Sequence, residues 1–282
     1  MYKTLVSAAD LLAHLGDPGW RALDCRFSLQ APDAGAAAFA AAHIPGAHHL
    51  DLDRDLSGPR SAGSGRHPLP APAGLAARLG ALGLRHADQL VLYDDSAGLF
   101  AARGWWLLRA LGYRSVAVLD GGLAAWREAG GPLTAEVSAV IARPPEPFAV
   151  EWQALGAEDI ARGLDDGRLT VIDVRAAERY AGRVEPLDPV AGHVPGARNL
   201  PHDRALDGAG RFREPSALRA LFTAQLGDTP ADRVAFMCGS GVTACHALLA
   251  MEVAGLPGGQ LYAGSWSEWC RDPTRPVAVG DG

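Results

Sequence analysis

The sequence states one pattern twice, and that repetition limits the folds open to the chain more than any other feature. Leu23-Asp24-Cys25-Arg26 is answered by Ile172-Asp173-Val174-Arg175, and Ala42-His43-Ile44-Pro45-Gly46-Ala47 by Gly192-His193-Val194-Pro195-Gly196-Ala197. Val91-Leu92-Tyr93-Asp94-Asp95 is answered by Val234-Ala235-Phe236-Met237-Cys238, and Gly121-Gly122 with Trp126 by Gly264-Ser265 with Trp269. Four matches in one order, with little drift in spacing, indicate tandem duplication of one domain. At 282 residues the chain holds two copies of ordinary domain size. The expected division is a first domain over residues 1–136, a linker over 137–152 and a second domain over 153–282. Prolines in Val140-Ile141-Ala142-Arg143-Pro144-Pro145-Glu146-Pro147 favour a stiff, extended linker.

Within each copy, short apolar runs alternate with helical patterns. In the second, Leu169-Thr170-Val171-Ile172-Asp173 and Arg233-Val234-Ala235-Phe236-Met237 read as buried strands. Ala217 to Leu226 and Ala244 to Ala254 read as helices, with Gly255 stopping the latter. Such alternation predicts an α/β fold, each copy a mainly parallel sheet with helices on both faces. Ligands of such sheets bind beyond the carboxyl ends of the strands. The segment after Met237 is therefore the place to look.

That segment is Cys238-Gly239-Ser240-Gly241-Val242-Thr243-Ala244. Two glycines let the backbone turn tightly, so that successive N–H groups converge, and the following helix adds its unpaired amides and positive end. A thiol in such a cradle is expected to have a lowered pKa and to act as a nucleophile. Thr243 is expected as the helix N-cap. Cys25, Cys245 and Cys270 lie on or beside apolar elements and read as buried structure. No Cys-x-x-Cys pair occurs, which argues against structural zinc, and a disulfide framework does not suit a chain of this size and apparent compartment. A cysteine phosphatase would need an arginine six residues after the cysteine, where Ala244 stands. Ser240 lacks the Gly-x-Ser-x-Gly elbow of a serine hydrolase.

Charge narrows the partners. The net charge of −6 gives no field for nucleic acid or an anionic membrane. No run reaches a membrane span and the N-terminus has no signal-peptide pattern, so a cytoplasmic protein is expected. Lys3 is the one lysine among 26 basic residues, so a bound anion must be held by arginine, hydroxyls or backbone amides.

The loop, both Asp-x-Arg strands, both His-[Ile/Val]-Pro-Gly-Ala turns and the closing Tyr262-Ala263-Gly264-Ser265-Trp266-Ser267-Glu268-Trp269 resemble the tandem-domain sulfurtransferases of the rhodanese superfamily. The loop resembles that of its 3-mercaptopyruvate members most. The resemblance implies two rhodanese-like domains, residues 1–136 inactive and 153–282 catalytic. In the first, Asp95 matches Cys238 and cannot form a persulfide; that copy is then expected to help wall a substrate cleft.

Further roles come from the resemblance alone. Cys238 takes sulfane sulfur as a persulfide and hands it on. Ser240, His67 and Asp53 match a proton-relay trio. Gly239, Gly241, Val242 and Thr243 shape the anion cradle, and Arg179 matches one of two arginines that grip the substrate carboxylate. At the second the family's Glu-Pro-Arg becomes Glu185-Pro186-Leu187, and Arg183 is the candidate to serve instead. His43, His193, Arg26, Arg175 and the tryptophans Trp105, Trp106, Trp126 and Trp269 read as structural. No metal or organic cofactor is implied. The expected partners are a small-molecule sulfur donor and, as acceptor, cyanide or a thiol, either a small thiol or a thioredoxin-like protein. The neutral Gly239-Ser240-Gly241 favours 3-mercaptopyruvate as donor. The alternatives are thiosulfate, whose enzymes tend to carry basic residues in this loop, and a non-catalytic persulfide carrier.

Overall fold

The computed structural model describes residues 1–150 and 152–281; Glu151 of the expected linker and Gly282 of the expected second domain lie outside the described residues. The chain divides into two compact units. One comprises Met1–Gly58 and Leu69–Trp152, the other Pro59–Pro68 and Gln153–Gly282.

The first unit contains strands β1 (Leu5–Val6), β2 (Trp20–Asp24), β3 (His48–His49), β4 (Gln89–Tyr93) and β5 (Val116–Leu119). The second contains β6 (Ala154–Leu155), β7 (Thr170–Asp173), β8 (Arg198–Asn199), β9 (Val234–Met237) and β10 (Gln260–Tyr262). The sheet orders are β1-β5-β4-β2-β3 and β6-β10-β9-β7-β8, the same arrangement twice, and all the pairings are parallel. Central β4 and β9 are buried along their whole length, as strands covered on both faces must be. The helices that follow them, Ala101–Ala110 and Thr243–Val253, are apolar almost all round and sink into the core.

The duplication extends to side-chain braces. Arg26 and Arg175 each clamp the aspartate two residues earlier, Asp24 and Asp173, and reach a carbonyl, Ala42 O at 2.7 Å and Gly192 O at 2.8 Å. His43 and His193 are buried, and each pairs its backbone with a late segment, at Thr134 and Ala278. Trp126 and Trp269 donate indole N–H bonds of 2.9 Å to Pro132 O and Pro276 O.

Two segments differ from a simple cut into halves. Residues 137–150 form no helix or strand and group with the first unit. Gly80 and Gly83 make this possible: a Cβ built on Gly80 would lie 2.8 Å from Arg143 O, and one on Gly83 2.7 Å from Ile141 O. Pro59–Pro68, inside the expected first domain, groups with the second unit instead. The Arg66 N–H donates to Ser267 Oγ at 2.9 Å, and Gly65 fits only because it has no Cβ to strike the Gly264 carbonyl. That exchange carries Arg66 and His67 to the second unit.

Candidate active site

Cys238 is the first residue past β9. Its own peptide groups are tied to the closing motif: its N–H donates to Ser265 Oγ at 3.0 Å, and its carbonyl accepts from Trp266 N at 3.0 Å. Ser267 N donates in turn to Gly239 O at 2.8 Å. Ser265 holds a left-handed φ of 52°, a sparsely populated conformation for a residue with a Cβ, and its hydroxyl also donates to Tyr262 O at 2.8 Å. Gly241 has φ 76°, and a Cβ there would drive into the Ala263 carbonyl. Gly241→Ala is therefore expected to cost on the order of 2–3 kcal/mol of stability. A denaturation midpoint equal to the wild type's would refute this fit of loop to closing motif.

The amides of Gly239, Ser240, Val242 and Thr243 donate to no protein acceptor among the described residues. They precede or open a helix of 11 residues, whose first N–H groups are unpaired by construction. Thr243 is not the N-cap expected from the sequence. The helix begins at Thr243, and Val242 stands at the cap without a side-chain bond. The loop is thus capped by no side chain of its own, which leaves its amides for an anion.

The first unit shows what such a loop does when an anion is built in. β2 pairs Asp24 with Tyr93 and β7 pairs Asp173 with Met237. Leu123 N donates to Asp94 O as Trp266 N does to Cys238 O. The position matching Cys238 is therefore Asp94 and not Asp95, a correction of one residue. Asp94 is fully buried. Its Oδ1 accepts from Ser96 N and Gly98 N at 2.8 Å each, and its Oδ2 from Phe100 N and Ala101 N at 2.9 Å each. Burial pushes the Asp94 carboxyl up, against the pull of these four amides.

His67 and Ser240 meet in the second unit: Nδ1 lies 2.7 Å from Oγ, with the residues 1% and 6% exposed. Asp53 belongs to the first unit, on a turn where its own N–H donates to Asp51 Oδ1 at 2.9 Å.

Arg179 is brought to the loop, and Arg66 with it. A Cβ built on Gly239 would lie 3.1 Å from Arg66 Nη2 and 3.5 Å from Arg179 Nη1. Both arginines are fixed from behind by buried acids. Arg179 Nη2 meets Glu185 Oε1 at 2.6 Å and Asp188 Oδ2 at 3.4 Å, while Arg66 Nη1 meets Asp188 Oδ1 at 2.7 Å. Arg175 Nη1 reaches Glu185 Oε2 at 3.3 Å. Arg183 does not join this cluster; it pairs at the surface with Asp281 at 2.6 Å, both side chains being exposed. Its expected place in the site is corrected accordingly. Sequence reasoning missed Arg66, whose only signal was its position immediately before His67.

The other three cysteines are buried. Burial pushes the Cys25 thiol well up, with Asp24 adding to it, and burial raises Cys270 too. Cys245 donates its thiol to Gly241 O at 3.4 Å.

A family model described as Rhodanese-like domain matches residues 7–129 and 156–272. A Pseudomonas aeruginosa protein described as a probable 3-mercaptopyruvate sulfurtransferase is 50% identical over 282 residues, spanning 98% of each chain. The thiosulfate sulfurtransferase of Bos taurus is 34% identical over 286 residues, spanning 95% of this chain and 92% of its own. Among solved structures, the 3-mercaptopyruvate sulfotransferase SseA of Escherichia coli aligns with a TM-score of 0.78 at 32% identity. The alignment covers 95% of this chain and 100% of that one.

Proposed function

Because the chain belongs to the rhodanese-like family, with two tandem copies of its domain, we propose that this sulfurtransferase takes sulfur from 3-mercaptopyruvate onto Cys238 and passes it to a thiol or to cyanide. The observation that carries the choice of donor is the buried 2.7 Å contact between Ser240 and His67, two residues past the thiol.

The chemistry explains why a proton relay discriminates. The Cys238 thiolate attacks the donor's thiol sulfur. An S–S bond forms, the C–S bond breaks, and its electron pair moves into the adjacent carbonyl to give the enolate of pyruvate. The proton that the donor's sulfur carried must end on the enolate carbon, leaving a persulfide anion and pyruvate. A hydroxyl hydrogen-bonded to imidazole, the side chain that exchanges protons most readily near neutrality, is suited to carry it. Thiosulfate gives up its outer sulfur with sulfite as leaving group and needs no proton. In the second half-reaction a thiolate or cyanide attacks the outer sulfur, and Cys238 departs as thiolate. The amides after Cys238 stabilise the anionic sulfur in both halves, a use that the Asp94 carboxylate on the matching loop supports.

The neutral loop fits the same reading. A basic side chain at position 239 would stand against Arg66 and Arg179, adding a third cation to two. With cyanide as acceptor, kcat/KM is expected to be higher for 3-mercaptopyruvate than for thiosulfate, with the parallel double-reciprocal lines of a ping-pong reaction. A clear advantage for thiosulfate would overturn the donor.

A further inference from the structure

The resemblance implies a second carboxylate-binding arginine at position 187, and this chain has none there. Leu187 stands there, with an exposed side chain. Its neighbour Asp188 is an acid and is buried, its side chain 4% exposed. A buried carboxylate requires a partner, and Asp188 has two: Arg66 Nη1 at 2.7 Å and Arg179 Nη2 at 3.4 Å. One carboxylate thereby holds two guanidiniums close together that would otherwise repel. We propose that Arg66, recruited by Asp188, is the second arm of the donor-carboxylate clamp, facing the loop beside Arg179.

Three further observations support this. The two nitrogens nearest a Cβ built on Gly239 are Arg66 Nη2 at 3.1 Å and Arg179 Nη1 at 3.5 Å, and neither is used by Glu185 or Asp188; Arg179 Nη2, which is, lies farther off at 3.7 Å. Arg66 Nε is buried without a partner among the described residues, so the guanidinium keeps donor capacity in reserve. Arg66 is also rigidly presented, because its own N–H is fixed on Ser267, whose N–H is fixed on Gly239 O. A planar fork of this kind matches a carboxylate better than an ammonium would.

The assignment rests on 3-mercaptopyruvate as donor, and the test separates the two. Initial rates are measured with 3-mercaptopyruvate and with mercaptoacetone, which keeps the thiol and ketone but lacks the carboxylate, for wild type, Arg66→Met and Arg66→Lys. Arg66→Met is expected to raise KM for 3-mercaptopyruvate about 10- to 100-fold, the value of a charge-assisted hydrogen bond, with kcat changing less. Mercaptoacetone kinetics stay unchanged, and Arg66→Lys recovers part of the loss. An equal effect of Arg66→Met on both donors, or none on either, overturns the clamp while leaving the donor reading intact. A wild type that ignores 3-mercaptopyruvate overturns both.

Discussion

Cys238→Ser is expected to reduce sulfur transfer to background, a loss on the order of 10⁴- to 10⁶-fold by comparison with the removal of other covalent nucleophiles. Serine preserves the size of the side chain and the backbone bonds to Ser265 Oγ and Trp266 N. What it cannot do is ionise readily or form a sulfur–sulfur bond, so the change isolates chemistry from fold. Pyruvate release with 3-mercaptopyruvate and cyanide reads the rate. Mass spectrometry of protein given donor and no acceptor reads the intermediate, as one added sulfur on the peptide bearing Cys238. The other cysteines are poor substitutes. Burial pushes the thiols of Cys25 and Cys270 up, and Cys245 is wholly buried on the helix with its thiol turned to Gly241 O. Turnover that survives in Cys238→Ser would remove the proposed mechanism.

The architecture was legible because the repeat was legible. Two sheets of identical strand order follow from two copies of one pattern, and β9 ends where the apolar run Val234–Met237 ends. Local features were less secure. The first unit's loop spans Asp94 to Phe100 and the second's Cys238 to Val242, a difference of two residues, so spacing alone did not fix which acid matches the cysteine. Hydrogen-bond register fixed it and moved the match from Asp95 to Asp94. Arg66 was invisible for a different reason. Its significance depends on Pro59–Pro68 leaving the unit that encloses it in sequence and on Asp188 waiting in the other. No local periodicity encodes a contact between positions so far apart in the chain. Arg183 erred the same way in reverse: it stands close to Arg179 in sequence but pairs with Asp281 near the far end of the chain.

His67→Ala is expected to lower kcat for 3-mercaptopyruvate by about 10²- to 10⁴-fold, the range over which positioned proton transfer contributes, while thiosulfate turnover changes little. The difference between donors is the substance of the prediction. Sulfur leaves thiosulfate with its electron pair on sulfite, and no proton is in flight. It leaves 3-mercaptopyruvate with an enolate behind, and that carbon must be protonated before pyruvate is formed. The variant carries its own control, since any general damage from deleting a buried ring would depress both donors alike. Ser240→Ala should reproduce the effect, because Ser240 Oγ and His67 Nδ1 are partners at 2.7 Å. The double variant should then be no slower than the worse single one, the non-additivity that marks two groups acting as a unit. Equal losses on thiosulfate and 3-mercaptopyruvate would assign His67 and Ser240 to holding the loop rather than to moving the proton.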